Sequence, residues 1–140
     1  STPFGNPERP LNPVLLALAS GATFVARGFS GDPEHLKELI KQGIAHRGFA
    51  FIEVLQPCVT FFNTYASLKE RVYKIDGSHD PSDFESALKL AQREDRLPIG
   101  IFYRVERPTL EDSFAHAMNP PPALRALRPP DLSRILKRFR

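Results

Sequence analysis

The sequence predicts an α/β protein in which helices flank a parallel sheet, followed by an extended C-terminal arm. Three short runs are almost continuously apolar, which is typical of parallel strands buried on both faces. The segments between them begin with capping residues and carry apolar residues at helical spacing. At 140 residues, with 41% apolar and 25% charged residues, the chain forms one globular domain or part of one.

The helices before the midpoint share one start signal, a capping residue followed by proline. An Asn-Pro pair opens a predicted helix over 14–19, and an Asp-Pro pair opens another over 33–46. The second helix is amphipathic, with charged residues on one face and four apolar residues on the other. These apolar residues are Leu36, Leu39, Ile40 and Ile44.

Strands are predicted at residues 23–27, 49–55 and 99–105, where strand-forming residues dominate. Residues 64–72 are predicted as a helix or an irregular connection. A helix capped by Ser82 or Asp83 follows and reaches about residue 93, with an apolar face toward the core. This face consists of Phe84, Ala87, Leu88 and Ala91.

The last 30 residues differ in character from the rest. A capping sequence at 109–112 predicts a short helix to residue 118, and a proline run at 119–122 predicts a stiff linker. A second proline break precedes a short basic helix at 131–139. A packed domain rarely contains such a segment, so we expect it to lie on a partner. The chain begins without Met or a settled element, as a piece from inside a longer protein would.

Charge is divided unevenly between the body and the tail. Residues 123–140 carry six cations and one anion, whereas residues 1–122 carry a net charge of −2. A basic tail is compatible with a solvated or partner-docked helix, or with contacts to an acidic protein, a neighbouring subunit or nucleic acid. The solvated or partner-docked helix is favoured. Nucleic-acid binding is disfavoured because the aromatic residues that would interleave with a basic stripe lie elsewhere. No run is long enough for a membrane span.

Two stretches follow predicted strands, at the sheet edge where α/β proteins bind ligands. They are Arg27–Asp32 and Gln56–Thr60. Glycines in the first would let backbone N–H groups face an anion at a helix start. The favoured alternative is a tight turn that needs glycine for its backbone angles. No nucleotide-binding fingerprint is present.

Cys58 is the only cysteine, so an intrachain disulfide is excluded and a reducing compartment is indicated. A buried structural thiol is favoured by composition alone. A thiolate ligand of an iron–sulfur cluster is the chemical alternative, and a nucleophile paired with histidine is a third. The four histidines show no ligand spacing with the cysteine, so they are predicted as surface or capping residues. They are His35, His46, His79 and His116.

The string NPVLLALASGATFVARGFSGDPEHLKELIKQGIAHRGFAFIEVLQPCVTF, residues 12–61, resembles the C-terminal part of 2-oxoacid:ferredoxin oxidoreductase beta subunits. YASLKERVY at 65–73, HDPSDFESAL at 79–88 and LPIGIFYRVERPT at 97–109 continue the resemblance. It covers about residues 1–112. It implies a thiamine-diphosphate-binding-type sheet and three parts of the chain. These are the end of the cofactor-binding domain (1–59), the subunit's C-terminal region (60–112) and the linker with its basic arm (113–140).

The resemblance also implies the cofactors and their ligands. Cys58 would be one of four ligands of a 4Fe-4S cluster, with Val59, Phe61 and Phe62 limiting its access to water. Thr2 and Gly5 would lie in a loop near thiamine diphosphate. The diphosphate and Mg²⁺ would be held mainly by residues upstream of this segment, so no catalytic residue is assigned within it.

The implied activity is the reversible oxidative decarboxylation of pyruvate or 2-oxoglutarate to acyl-CoA and CO₂, with electrons passing to ferredoxin. The expected setting is a cytoplasmic heteromer with an alpha subunit and the rest of the beta subunit, without which this segment would be inactive. A non-catalytic assembly or binding module with the same fold is the alternative.

Overall fold

A computed structural model describes residues 5–114, 132, 136 and 137. The chain divides into two compact units, residues 1–107 and 108–140. The first unit contains four helices and four strands, and the second contains α5 within its described part. In chain order the elements are α1 (Pro13–Ala19), β1 (Phe24–Phe29), α2 (Pro33–Ala45), β2 (Ala50–Leu55), α3 (Tyr65–Arg71), β3 (Val72–Lys74), α4 (Phe84–Ala91), β4 (Leu97–Arg104) and α5 (Leu110–Ser113).

The four strands form one sheet in the order β2-β1-β4-β3. The α/β class is confirmed, but the sheet is mixed where the sequence predicted parallel strands throughout. β1 runs parallel to β2 and β3 runs parallel to β4, whereas β4 runs antiparallel to β1. Burial on both faces makes a central strand apolar whichever way its neighbours run. The apolar run at 99–105 therefore indicated a central strand without indicating whether β4 runs parallel or antiparallel to β1.

Every residue of β1 is buried, because helices cover both faces of the sheet. On one face Val25 packs with residues of α1 and α4, including Val14 and Ala87. On the other face Phe24 and Ala26 pack with Leu39 of α2. The central strand thus belongs to both cores, which explains its lack of polar alternation.

The predicted helix starts are confirmed by their caps. Asn12 accepts a hydrogen bond from Leu15 N at 3.1 Å, and Asp32 accepts one from His35 N at 3.2 Å. Asp83, one of the two predicted caps of α4, accepts hydrogen bonds from the backbone N–H groups of two residues in its first turn. These bonds satisfy donors that a helix start leaves without intrahelical partners.

Asp32→Ala is expected to lower the free energy of unfolding by about 1 kcal/mol at neutral pH, because it removes the cap of α2. The Asp32 carboxylate also pairs with Lys74 Nζ at 2.8 Å. That bond, then the one from His35 N–H, lowers the carboxyl pKa below its ordinary value. A depressed folded-state pKa contributes stability above the unfolded pKa of about 3.9 and loses it as the pH falls through the folded pKa.

Urea unfolding at pH 7 and in the acid range tests this expectation. The deficit of Asp32→Ala relative to the wild type should shrink as the pH falls below about 4. Asp32→Ser is the matched control, since a serine hydroxyl can still cap the helix but carries no charge. A deficit that is unchanged down to the lowest pH would show that the carboxylate charge contributes nothing.

Several residues of the predicted apolar helix faces are exposed. On α2 Leu39 is buried, but Ile40 is 40% exposed and Ile44 is 80% exposed, and on α4 Phe84 is 40% exposed. The apolar faces of these helices are wider than the sheet of this chain covers, so helical spacing alone overstates burial. The described residues also include β3, a three-residue strand that the sequence pattern was too short to reveal.

The short helix predicted from 109 begins with a capping box between Thr109 and Asp112, and α5 ends at Ser113 rather than reaching residue 118. The predicted linker at 119–122 and most of the predicted basic helix at 131–139 lie outside the described residues. None of the described helices combines the length and apolar character that a membrane span requires.

Candidate functional site

The two stretches predicted to lie at a ligand-binding edge do share one edge of the sheet. β1 and β2 are parallel and in register, and their last residues, Phe29 and Leu55, are paired. Ser30 N donates to Leu55 O at 3.0 Å, which ties the chain leaving one strand to the end of the other. The segments after both strands therefore begin side by side.

The first stretch is a helix-capping turn. Gly28 lies within β1, and a Cβ there would come within 2.5 Å of Leu36 Cδ1. A Cβ on Gly31 would come within 2.3 Å of the Phe29 ring. Neither glycine has a positive φ, so close packing rather than unusual backbone angles requires them. The carboxylate of Asp32 already accepts the N–H at the start of α2, which favours the turn over a bound anion.

The second stretch presents the thiol at the surface. Cys58 is exposed, and it opens a tight turn in which Phe62 N donates to Cys58 O at 3.2 Å. A single antiparallel bridge joins the same two residues. The prediction of a buried structural thiol is therefore wrong, because the strand ends at Leu55 and the cysteine lies beyond the packed sheet.

This turn favours the deprotonated form of the cysteine. The backbone N–H groups of Phe61 first, then of Thr60 and Phe62, favour the thiolate and lower the thiol pKa below its ordinary value of 9.0. Donors that stabilise a thiolate make it a better metal ligand and nucleophile. Similar hydrogen bonds to cysteine sulfurs tune the potentials of iron–sulfur clusters. The local geometry therefore suits a thiolate ligand.

The apolar neighbours of Cys58 do not cover it within this chain. Val59 is 66% exposed, Phe61 is 91% exposed and Phe62 is 76% exposed. The sequence predicted that they would limit the access of water to the sulfur, and in this chain alone they point into solvent. They exclude water only where another surface packs against them.

Among the other predicted site residues, His46 and His79 form side-chain hydrogen bonds with groups other than Cys58. Gly5 has φ +72, and a Cβ there would meet no atom within 4 Å, whereas Thr2 is among the undescribed residues. His46 Nε2 bonds Thr23 Oγ1 at 2.8 Å, and His79 lies between Ser86 and the carbonyl of Phe102. These two histidines make structural contacts.

No group of three or more histidine, cysteine, aspartate or glutamate side chains converges as a metal site anywhere in the described part of the chain. Cys58 is thus a single potential ligand. His35 is half-buried and His116 lies outside the described residues. A cluster at Cys58 requires further cysteines from outside the described residues.

The sequence reasoning overlooked one buried ion pair. Arg27 is 5% exposed, and its Nε donates to Glu53 Oε2 at 2.5 Å. The two residues are direct partners in the register of β1 and β2. The available signal was one charged residue of each sign inside neighbouring apolar strands, since a charge in such a strand needs a partner.

Comparisons with known proteins agree with this architecture. Residues 58–119 match a family model described as the C-terminal part of the pyruvate ferredoxin oxidoreductase beta subunit. A 2-oxoacid:ferredoxin oxidoreductase beta subunit of Aeropyrum pernix is 37% identical over a match covering 99% of this chain and 53% of that protein. The corresponding subunit of Saccharolobus solfataricus is 41% identical, over 86% of this chain and 46% of that protein.

A solved structure is also similar to this chain, with a TM-score of 0.81 and 35% identity. It is a 2-oxoglutarate:ferredoxin oxidoreductase from Magnetococcus marinus with 2-oxoglutarate, coenzyme A and succinyl-CoA bound. The match covers 99% of this chain and 48% of that one. The chain spans about half the length of the curated relatives it matches.

These matches place the chain among the ferredoxin-linked 2-oxoacid oxidoreductases. Within that class it belongs to the beta-subunit family, and it corresponds to the C-terminal part of such subunits.

Proposed function

We propose that this chain forms part of the beta subunit of a 2-oxoacid:ferredoxin oxidoreductase and contributes one cysteine ligand, Cys58, to a 4Fe-4S cluster. The whole enzyme would oxidatively and reversibly decarboxylate a 2-oxoacid to acyl-CoA and CO₂, with ferredoxin as electron acceptor. Relatives are named as beta subunits of 2-oxoacid:ferredoxin oxidoreductases, and the similar structure contains 2-oxoglutarate, coenzyme A and succinyl-CoA. One observation carries the proposal: the thiol of Cys58 is exposed in the turn that follows β2, beyond the packed part of the sheet.

The residues around Cys58 fit one corner of a cluster. The thiolate is the ligand that iron–sulfur clusters require, and the turn at residues 58–62 supplies hydrogen bonds that favour it. When bound, such a cluster supplies one-electron transfer. The chain's own contribution is to hold the sulfur at the sheet edge and to present apolar side chains beside it.

Exposed apolar surface supports assembly with further protein. Ile44 and Phe49 are 80% and 64% exposed, and they lie at the end of α2 and just before β2. Among the described strands, β2 pairs on only one side, so its other edge is open to another strand. Phe61 and Phe62, beyond the other end of β2, are further exposed apolar side chains that a partner surface would cover. We assign this surface to the rest of the beta subunit and an alpha subunit.

We assign a role beside thiamine diphosphate to residues near the start of the chain. Gly5 has a φ of +72°, in the left-handed region that glycine favours, and no atom lies within 4 Å of the position that a Cβ would occupy. A ligand could therefore approach the backbone closely there. We propose that Thr2 and Gly5 lie beside the cofactor, whose diphosphate and Mg²⁺ would be held mainly by residues outside this segment. The proposal includes a cytoplasmic location for the assembled enzyme.

The experiment is to purify the chain together with the subunits that accompany it and to measure iron, acid-labile sulfide and thiamine diphosphate. We expect all three. In the same preparation, 2-oxoglutarate and pyruvate are compared as reductants of ferredoxin in the presence of coenzyme A. Coenzyme-A-dependent reduction by either acid supports the activity, and the better substrate identifies the 2-oxoacid.

A complex that forms but lacks iron, sulfide and thiamine diphosphate would contradict the proposal. It would instead support the alternative of a non-catalytic assembly module with the same fold. The exposed apolar surface is compatible with both functions, so the cofactor content separates them.

A further inference from the structure

A cavity of about 340 Å³ lies beside α1, and three arginines line it. They come from different elements: Arg27 from β1, Arg71 from the end of α3 and Arg93 from just after α4. Glu53 and Glu94 also line the cavity, so one positive charge is in excess. The cavity is separate from the turn at Cys58, none of whose residues line it.

Arg27 supplies the buried part of this lining. Its Nε pairs with Glu53, and its guanidinium lies over the Phe102 ring at 5.2 Å from the ring centroid. Its Nη1 is buried and has no hydrogen-bond partner among the described residues. A guanidinium carries five N–H donors, and buried donors are normally satisfied. The side chain is therefore only partly accounted for by its contacts within the chain.

A purely structural role explains half of these observations. Arg27 and Glu53 face each other across β1 and β2, and an opposite-charge pair stabilises such a register. This role accounts for Nε and the carboxylate. It does not account for the unpartnered Nη1, or for two more arginines around the same cavity.

Arg71 and Arg93 are exposed, and neutral acceptors hold them in place. Arg71 Nη2 donates to the backbone carbonyl of Glu94 at 2.7 Å, and Arg93 Nη1 donates to the Tyr73 hydroxyl at 3.2 Å. Bonds to neutral oxygens orient the two guanidinium groups without neutralising their charge. Positioned arginines of this kind recognise carboxylate and phosphate groups.

We propose that this cavity binds a small-molecule oxyanion, a carboxylate or a phosphate group, with Arg27 at its base and Arg71 and Arg93 at its mouth. A water molecule takes up about 30 Å³ of liquid, so the cavity holds roughly ten waters or one small organic anion. The inference rests on the arginines alone and is independent of the proposed function at Cys58.

Isothermal titration calorimetry with inorganic phosphate and succinate as probes tests whether the cavity binds an oxyanion. The measurement uses the protein purified with its accompanying subunits. Saturable binding of at least one probe is expected. Arg71→Gln and Arg93→Gln should each weaken it about tenfold, since each removes a charge-assisted hydrogen bond. Lys41→Gln is the matched control, because this exposed lysine lies on α2 and does not line the cavity. The Lys41→Gln variant should bind phosphate and succinate with the affinity of the wild type.

Arg27→Lys keeps the charge but removes the forked donor geometry, and it should weaken binding further. If this variant fails to fold, the two exposed variants still decide the question. Tighter binding of phosphate or of succinate identifies the source of the oxyanion. Absence of saturable binding by both probes, or equal affinity of the wild type and the Arg71→Gln/Arg93→Gln double variant, overturns the proposal. Binding is measured without turnover, so an iron-free or inactive preparation leaves this test valid.

Discussion

Cys58→Ser in the assembled complex is expected to abolish the visible absorbance of the iron–sulfur cluster that we assign to this residue. Serine offers a hard oxygen donor in place of the soft thiolate that iron–sulfur clusters require. Losing an outer-shell partner of a metal site typically costs 10–100-fold in affinity or activity, so losing a ligand should reduce ferredoxin reduction by at least about 100-fold. Iron analysis and the visible spectrum measure the cluster directly, independently of turnover.

The control for this variant is Thr60→Ala, in the same turn. It keeps the backbone N–H that points toward the sulfur and removes only a hydroxyl group. Its iron content and spectrum should match those of the wild type. Full iron content in Cys58→Ser would falsify the ligand assignment, whatever the activity of the complex.

Local signals in the sequence predicted most of the helices and strands, because the start and the type of each element depend on short stretches of chain. The Asn-Pro and Asp-Pro starts of α1 and α2 are examples, since the cap forms between residues three apart. The direction of β4 depends on which strand it pairs with across about 75 residues of chain. No local pattern carries that information, and the antiparallel pairing was missed for this reason.

In the candidate site, too, the features set by local sequence were predictable and those set by the tertiary fold were not. The position of Cys58 after a strand was readable, because parallel strands in register bring their ends to one edge. Its exposure was not, since burial depends on how far β2 extends and on what packs against the turn. The cavity arginines were also unpredictable, because residues 27, 71 and 93 meet only through the tertiary fold.

Phe102→Ala is expected to lower the free energy of unfolding by about 3–5 kcal/mol, since it empties a fully buried ring site. Phe102 has no exposed surface and packs with Val25 and Ala87 between β4, β1 and α4. It also lies under the Arg27 guanidinium, so its loss leaves a cavity beside a buried charge. Domains are stable by only about 5–15 kcal/mol, so this variant should be near the limit of folding.

Phe61→Ala is the matched control, because it makes the same Phe→Ala change at an exposed position. Its ring is 91% exposed, so its removal should change the free energy of unfolding by no more than about 0.5 kcal/mol. Urea unfolding followed by circular dichroism compares the two variants, and equal m-values confirm that the same surface is exposed on unfolding. Similar losses in both variants would mean that the Phe102 ring does not occupy the core between β4 and α4. In that case the stability of the chain would depend on surface contacts, contrary to the packing around β1.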